Sequence, residues 1–155
     1  MPEAPRAQLA ELKIQAQGDF IGLAKRVATS LGSMVGFDLE KIDELAIAVT
    51  QACGSAIEQA EDTWGPGATL KLSFAAIENG IYVELDTIAP SSAEALEALP
   101  VTHQPARPAH APRAEAEIQR AVAREMIRLF VDDFRHQVDT GQRQVRYRMV
   151  KYLIS

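Results

Sequence analysis

Residues 46–60 read Ala46-Ile47-Ala48-Val49-Thr50-Gln51-Ala52-Cys53-Gly54-Ser55-Ala56-Ile57-Glu58-Gln59-Ala60. Traced back to Leu39, they belong to a helix whose apolar face is Leu39, Ile42, Leu45, Ala46, Val49, Cys53, Ala56, Ile57 and Ala60. The three- and four-residue steps of that face are the signature of one helical stripe turned to a core. Asp38 reads as the N-cap, and Phe37 before it and Ile42 after it are placed for a hydrophobic staple. Gly65-Pro66-Gly67 ends the run. Beside the core stripe lie Glu44, Gln51, Ser55 and Gln59, the last three one turn apart and therefore in a line along the helix.

Upstream, Leu12, Ile14 and Ala16 alternate with Glu11, Lys13, Gln15 and Gln17, the period of a half-buried strand within residues 9–17. From Asp19 the period lengthens through Phe20, Leu23, Ala24, Val27, Leu31 and Met34 to a stop at Gly36, which predicts a helix. Downstream, Leu70, Leu72 and Phe74, the dipeptide Asn79-Gly80, and Tyr82, Val83 and Leu85 predict two antiparallel strands and a tight turn. Residues 87–113 hold Pro90, Pro100, Pro105, Pro108 and Pro112 and read as a lid-like loop with a short helix at residues 93–99. Ile118, Val122, Met126, Leu129, Phe130 and Phe134 then define a long amphipathic helix whose apolar face reads as core. Val145, Tyr147 and Met149 close the chain as a strand. The order predicts a single α+β domain over residues 1–155, a two-layer sandwich of one sheet covered on one face by about three helices.

The chain has 155 residues, 47% hydrophobic, 24% charged and 6% aromatic, which fits one compact domain. No apolar run reaches the length of a membrane span and the N-terminus lacks a signal-like apolar stretch, so a cytoplasmic protein without membrane contact is expected. A net charge of −5 argues against nucleic acid as the partner. The sign is uneven: residues 1–100 hold 6 Lys/Arg and 15 Asp/Glu, and residues 101–155 hold 10 and 6. Either the two parts offset each other, or the basic part receives an acidic protein partner through residues such as Arg124 and Arg128. In that case Arg124→Glu and Arg128→Glu slow association and flatten its salt dependence.

One cysteine, Cys53, and three scattered histidines exclude a disulfide and a cysteine-based metal cluster. Cys53 reads as a small buried hydrophobe, Trp64 as a cap on the core, and His136, near the end of the last helix, as a partner for the helix dipole. No nucleophilic triad and no phosphate-cradling glycine loop are present.

The segment around Gln51 resembles the N-box helix of the GHKL (Bergerat-fold, histidine-kinase-like) ATPases, most closely bacterial anti-sigma factors that are also serine-protein kinases, whose helix reads approximately A-V-x-E-A-C-x-N-A-x-x-H-A. Leu12-Lys13-Ile14, Val49-Thr50-Gln51-Ala52-Cys53, Val83-Glu84-Leu85-Asp86, Val131-Asp132-Asp133-Phe134 and Arg148-Met149-Val150-Lys151-Tyr152-Leu153 fall in the family's order. The resemblance implies a mixed sheet beneath the helices, magnesium-ATP as cofactor, and a sigma factor or an anti-anti-sigma (STAS) protein as partner, commonly in a homodimer.

At the family's positions this sequence is degenerate. Gln51 stands for the general-base glutamate and cannot accept a proton, and Ser55 stands for the magnesium-holding asparagine with a shorter, poorer ligand. Asp86 matches the adenine-reading aspartate, but Thr87-Ile88-Ala89-Pro90 replaces the glycines after it. Ala121-Val122-Ala123-Arg124 stands where the family has a glycine-rich phosphate turn. Two classes follow. One is a pseudokinase-like anti-sigma protein that binds its partner without phosphotransfer and without a cofactor. The alternative is an active ATP-dependent serine-protein kinase using Asp86, Ser55 and a basic residue such as Arg120 or Arg124. A third is an unrelated helix-on-sheet scaffold.

Overall fold

The computed structural model describes residues 6–90 and 113–154. In chain order these form β1 (Ala7–Gln15), α1 (Ile21–Met34), α2 (Leu39–Trp64), β2 (Thr69–Ile77), β3 (Gly80–Ile88), α3 (Arg113–Phe130), β4 (Asp133–Asp139) and β5 (Gln144–Tyr152), with a 3-10 turn at Gly18–Phe20 ahead of α1. The strands make one sheet in the order β1-β2-β3-β5-β4, and each neighbouring pair is antiparallel. The expected two-layer α+β architecture is present, but the sheet is antiparallel throughout rather than mixed. The cause lies in β4 and β5. β3 and β4 run in the same direction and β5 inserts between them, antiparallel to both, so no parallel ladder forms among the described residues.

One sheet face carries Leu70, Leu72 and Phe74 of β2, Ile81, Val83 and Leu85 of β3, Phe134 of β4, and Val145, Tyr147 and Met149 of β5, all buried. Against it α2 lays Ile42, Leu45, Val49, Cys53, Ala56 and Ile57. Full burial of each large aliphatic side chain contributes about 1.5–3 kcal/mol. Asp38 caps α2 by accepting the Lys41 N–H at 2.9 Å, and Phe37 and Ile42 are both buried on either side of it. In the hairpin the special conformation belongs to Asn79, at φ 60°, while Gly80 opens β3. A Cβ on Gly80 would meet the backbone oxygen of Lys151, so this glycine is required by the close approach of β5 rather than by the turn.

Four further expectations are corrected. The last helix does not continue through Phe134: α3 ends at Phe130, and Phe134 and His136 belong to β4. Phe130 and Phe134 are four apart and fit a helix, but Phe134, His136 and Val138 also alternate with Asp133, Arg135 and Gln137, and pairing with β5 decides for the strand. Thr87 and Ile88 belong to β3 rather than to the proline-rich loop, and the Ala89 N–H donates to the Arg143 carbonyl at 2.9 Å. The proposed helix at residues 93–99 lies outside the described residues, as do His103 and His110. Leu23, Met34 and Leu39 are exposed, and α1 instead buries Ala24, Ala28, Leu31 and Gly32.

The fourth correction matters most for function. α3 buries Ala116 and Ile127, while its aliphatic row faces out: Ile118 is 64% exposed, Val122 55%, Met126 36% and Leu129 79%. Apart from Phe130, which packs against the core, the periodic apolar face of this helix is therefore not core.

Candidate functional site

The polar line of α2 lies against polar groups from β4, β5 and α3. The buried Tyr147 hydroxyl donates to Ser55 Oγ at 2.8 Å, and Ser55 is itself buried. His136 Nε2 and Gln59 Oε1 are 3.0 Å apart. The amide oxygen can only accept, so Nε2 carries a proton in this pair. The His136 and Phe134 rings both stand edge-on to Tyr147, with centroids 4.8 and 5.5 Å away. α3 adds Arg120, which donates to Asp62 at 2.9 Å, and Arg124, which lies close enough to influence both Tyr147 and His136. Burial, then the Arg124 charge, pushes His136 below the usual histidine range. Burial pushes the Tyr147 phenol up, with Ser55 and Arg124 acting in the opposite direction.

A second polar site lies toward the N-terminal end of α2. Lys151 is buried, and its Nζ donates to Glu44 Oε2 at 2.7 Å and to the Phe130 carbonyl at 2.6 Å. This lysine ties β5 to α2 and to the end of α3. Beside it opens a cleft of about 340 Å³, lined by Asp38, Glu40, Lys41 and Glu44 of the α2 start, Leu129 to Asp132, and Lys151. Strand alternation places Lys151 in the same row as Val145, Tyr147 and Met149, so the lysine points to the helices although its residue type suggests solvent.

The predicted site residues are not all brought together. Gln51 is half-buried on α2, one turn before Ser55. Asp86 lies on the opposite sheet face from Ser55, where its Oδ1 accepts from Arg146 Nε at 2.6 Å. Arg146 also approaches Glu84 at 3.3 Å, and Arg148 lies 3.2 Å from the same carboxylate, so Asp86 is one member of a four-charge ladder. The bond to Asp86 holds the Arg146 guanidinium even higher than usual. The neighbour of Asp86 that faces the helices is Thr87, buried, with its Oγ1 lacking a hydrogen-bond partner. Residues 121–124 lie two turns inside α3, where the helix ladder takes their N–H groups.

Arg124 turns toward Tyr147 and His136, whereas Arg128 stays exposed, 3.6 Å from Glu125 and with its guanidinium 5.0 Å from the Phe134 ring centre. Cys53 is buried, with its thiol pushed up to about 12, and Trp64 packs on the core edge. Among the described residues no helix is long and apolar enough to cross a membrane.

With this geometry in view, the chain is similar to proteins named serine-protein kinase RsbW. The Bacillus subtilis protein is 32% identical over 54 residues, covering 35% of this chain and 34% of that protein. The Bacillus pumilus protein is 35% identical over 52 residues, covering 34% and 32%. The Halalkalibacterium halodurans protein is 28% identical over 73 residues, covering 47% and 43%. The matches thus span from about a third to under half of these relatives. No protein-family model matches the chain.

Proposed function

We propose that the chain is a cytoplasmic regulatory protein of the anti-sigma-factor type, which holds a sigma factor or an anti-anti-sigma (STAS) partner without transferring phosphate. The observation that carries the reading is the bond between Tyr147 and Ser55: the hydroxyl at the family's metal-holding position is buried and engaged by the core. The other matching positions point the same way. Gln51 has no basic oxygen, Asp86 is engaged by Arg146 across the sheet, and Ala121 to Arg124 offer no free N–H groups. This donor set does not fit a magnesium-bound nucleotide, and no transfer step is assigned to it. The partial similarity to RsbW kinases and the order of elements support the family side of the reading.

One observation favours the kinase alternative. Thr87 Oγ1 is a buried polar atom without a hydrogen-bond partner, the kind of group that a bound ligand satisfies. Thermal unfolding with and without excess magnesium-ATP or ADP separates the two readings. A ligand present at about 100 times its dissociation constant adds about 2.7 kcal/mol. No shift at millimolar nucleotide is expected, and a clear rise reinstates the kinase. The partner half is tested by calorimetric titration with purified sigma factors and STAS proteins of the same cell, where heat of binding is expected with at least one. Sedimentation of the free protein tests the homodimer that the resemblance implies.

A further inference from the structure

We propose that the outward row of α3, together with the acidic cleft at its end, is a docking groove for an amphipathic helix whose apolar face is flanked by lysines and arginines. This rests on the partner-binding reading and names the chemistry of the partner. Ile118, Val122, Met126 and Leu129 recur at steps of four, four and three, the spacing that presents one apolar strip to a second helix. The fold does not need the row: α3 is held from its other side by Ile127, by Arg120 on Asp62 and by the Phe130 carbonyl on Lys151. Leu39, 76% exposed, stands between the cleft residues Asp38 and Glu40 in the sequence and adds an apolar side chain to the exposed surface at the start of α2.

Charge selects the occupant. Glu115 and Glu117 stand exposed at the start of the row, and at its end the cleft sets Asp38, Glu40, Glu44 and Asp132 against Lys41 and Lys151. Lys151 is already bound to Glu44 and the Phe130 carbonyl. Arg128, beside the row, lies close to Glu125. Among the described side chains both ends are therefore acidic. A second copy laid antiparallel along α3 would bring Glu115 and Glu117 against the partner's acidic cleft, which like-charge repulsion disfavours, whereas a helix with basic flanks finds complementary charge at both ends. Within the basic part of the chain, Arg120, Arg146, Arg148 and Lys151 already face carboxylates.

The test uses two labelled synthetic helical peptides with the same leucine row, one flanked by lysine and one by glutamate, titrated against the whole protein by fluorescence anisotropy. The lysine peptide is expected to bind about tenfold tighter or better, with an advantage that shrinks as salt rises. Val122→Glu and Leu129→Glu, both at exposed positions, should each weaken it by about tenfold, whereas Arg135→Glu, exposed on β4, should not. Equal or absent binding of the two peptides overturns the groove, and so does binding that survives both substitutions. Concentration-dependent dimerisation abolished by Leu129→Glu would assign the row to a second copy and overturn it as well. Failure of the wild type to bind any sigma factor or STAS protein breaks the partner reading itself, whereas capture unaffected by Leu129→Glu breaks the groove alone.

Discussion

α2 and α3 are both amphipathic in sequence, yet they face opposite ways. α2 buries its aliphatic stripe on the sheet and turns Glu44, Ser55 and Gln59 to polar partners, whereas α3 exposes its aliphatic row and keeps Arg120 and Arg124 on the protein side. The difference lies in the ground beneath each helix. α2 sits on Leu70, Leu72, Val83 and Leu85, and α3 sits beside Asp62, Gln59, His136 and Tyr147, where guanidinium groups find acceptors and an aliphatic row would strand them. Periodicity identifies a face, and the neighbouring surface decides where that face points.

The largest expected effect tests this contrast directly. Leu45→Ala, at a fully buried position on α2, should cost about 2–5 kcal/mol in denaturant unfolding. Leu129→Ala, the same change on the outward row of α3, should stay within about 0.5 kcal/mol. A comparable loss at both positions would mean that the α3 row is packed, and the contrast between the helices would fail.

The next effect concerns the lysine where the two helices meet β5. Lys151→Ala removes the buried ammonium that binds Glu44 and the Phe130 carbonyl and leaves both acceptors to find water. Breaking a buried pair from one side costs about 3–5 kcal/mol, and the half-exposed setting of Glu44 places this case at the low end or below. The double variant Lys151→Met with Glu44→Leu should recover much of that loss, because it removes both charges together. No recovery would show that Lys151 works through the Phe130 carbonyl, pinning the end of α3, rather than through Glu44.

The elements that could be read from sequence are those in which one pattern has one interpretation. The α2 cap at Asp38, the stripe from Ile42 onward, and the β2–β3 and β5 alternations appear where residue spacing puts them. β4 was hidden because Phe130 and Phe134 satisfy a helical step while Phe134 to Val138 satisfy a strand step, and only the partner strand chooses. The site was legible in part. The line Ser55–Gln59 was visible, but its partners Tyr147 and His136 lie 92 and 77 residues away along the chain, a separation no local pattern spans. Asp86 and Thr87 are adjacent in sequence yet lie on opposite faces, because a single step in a strand exchanges the two faces of the sheet, and the side on which Asp86 stands follows from that parity.

The smallest effect distinguishes the two placements of His136, because they predict opposite signs. A histidine at the C-terminal end of a helix gains from the dipole when protonated, so its folded-state pKa would rise and acid would favour the fold. On β4 His136 is held below its ordinary value of 6.5, first by burial and then by Arg124, while it pairs with Gln59. The unfolded chain then binds more protons than the folded one as pH drops toward and below 6.5. The stabilising contribution is therefore present above that value and is lost as pH falls through the lowered one. Urea unfolding of the wild type across this range should show stability falling with acidity in excess of His136→Gln, which lacks the titrating group. Coincident curves would remove the neutral His136 from the account of why α3 lays its arginines against β4, and a wild type that gains on acidification would return the histidine to the helix-end reading.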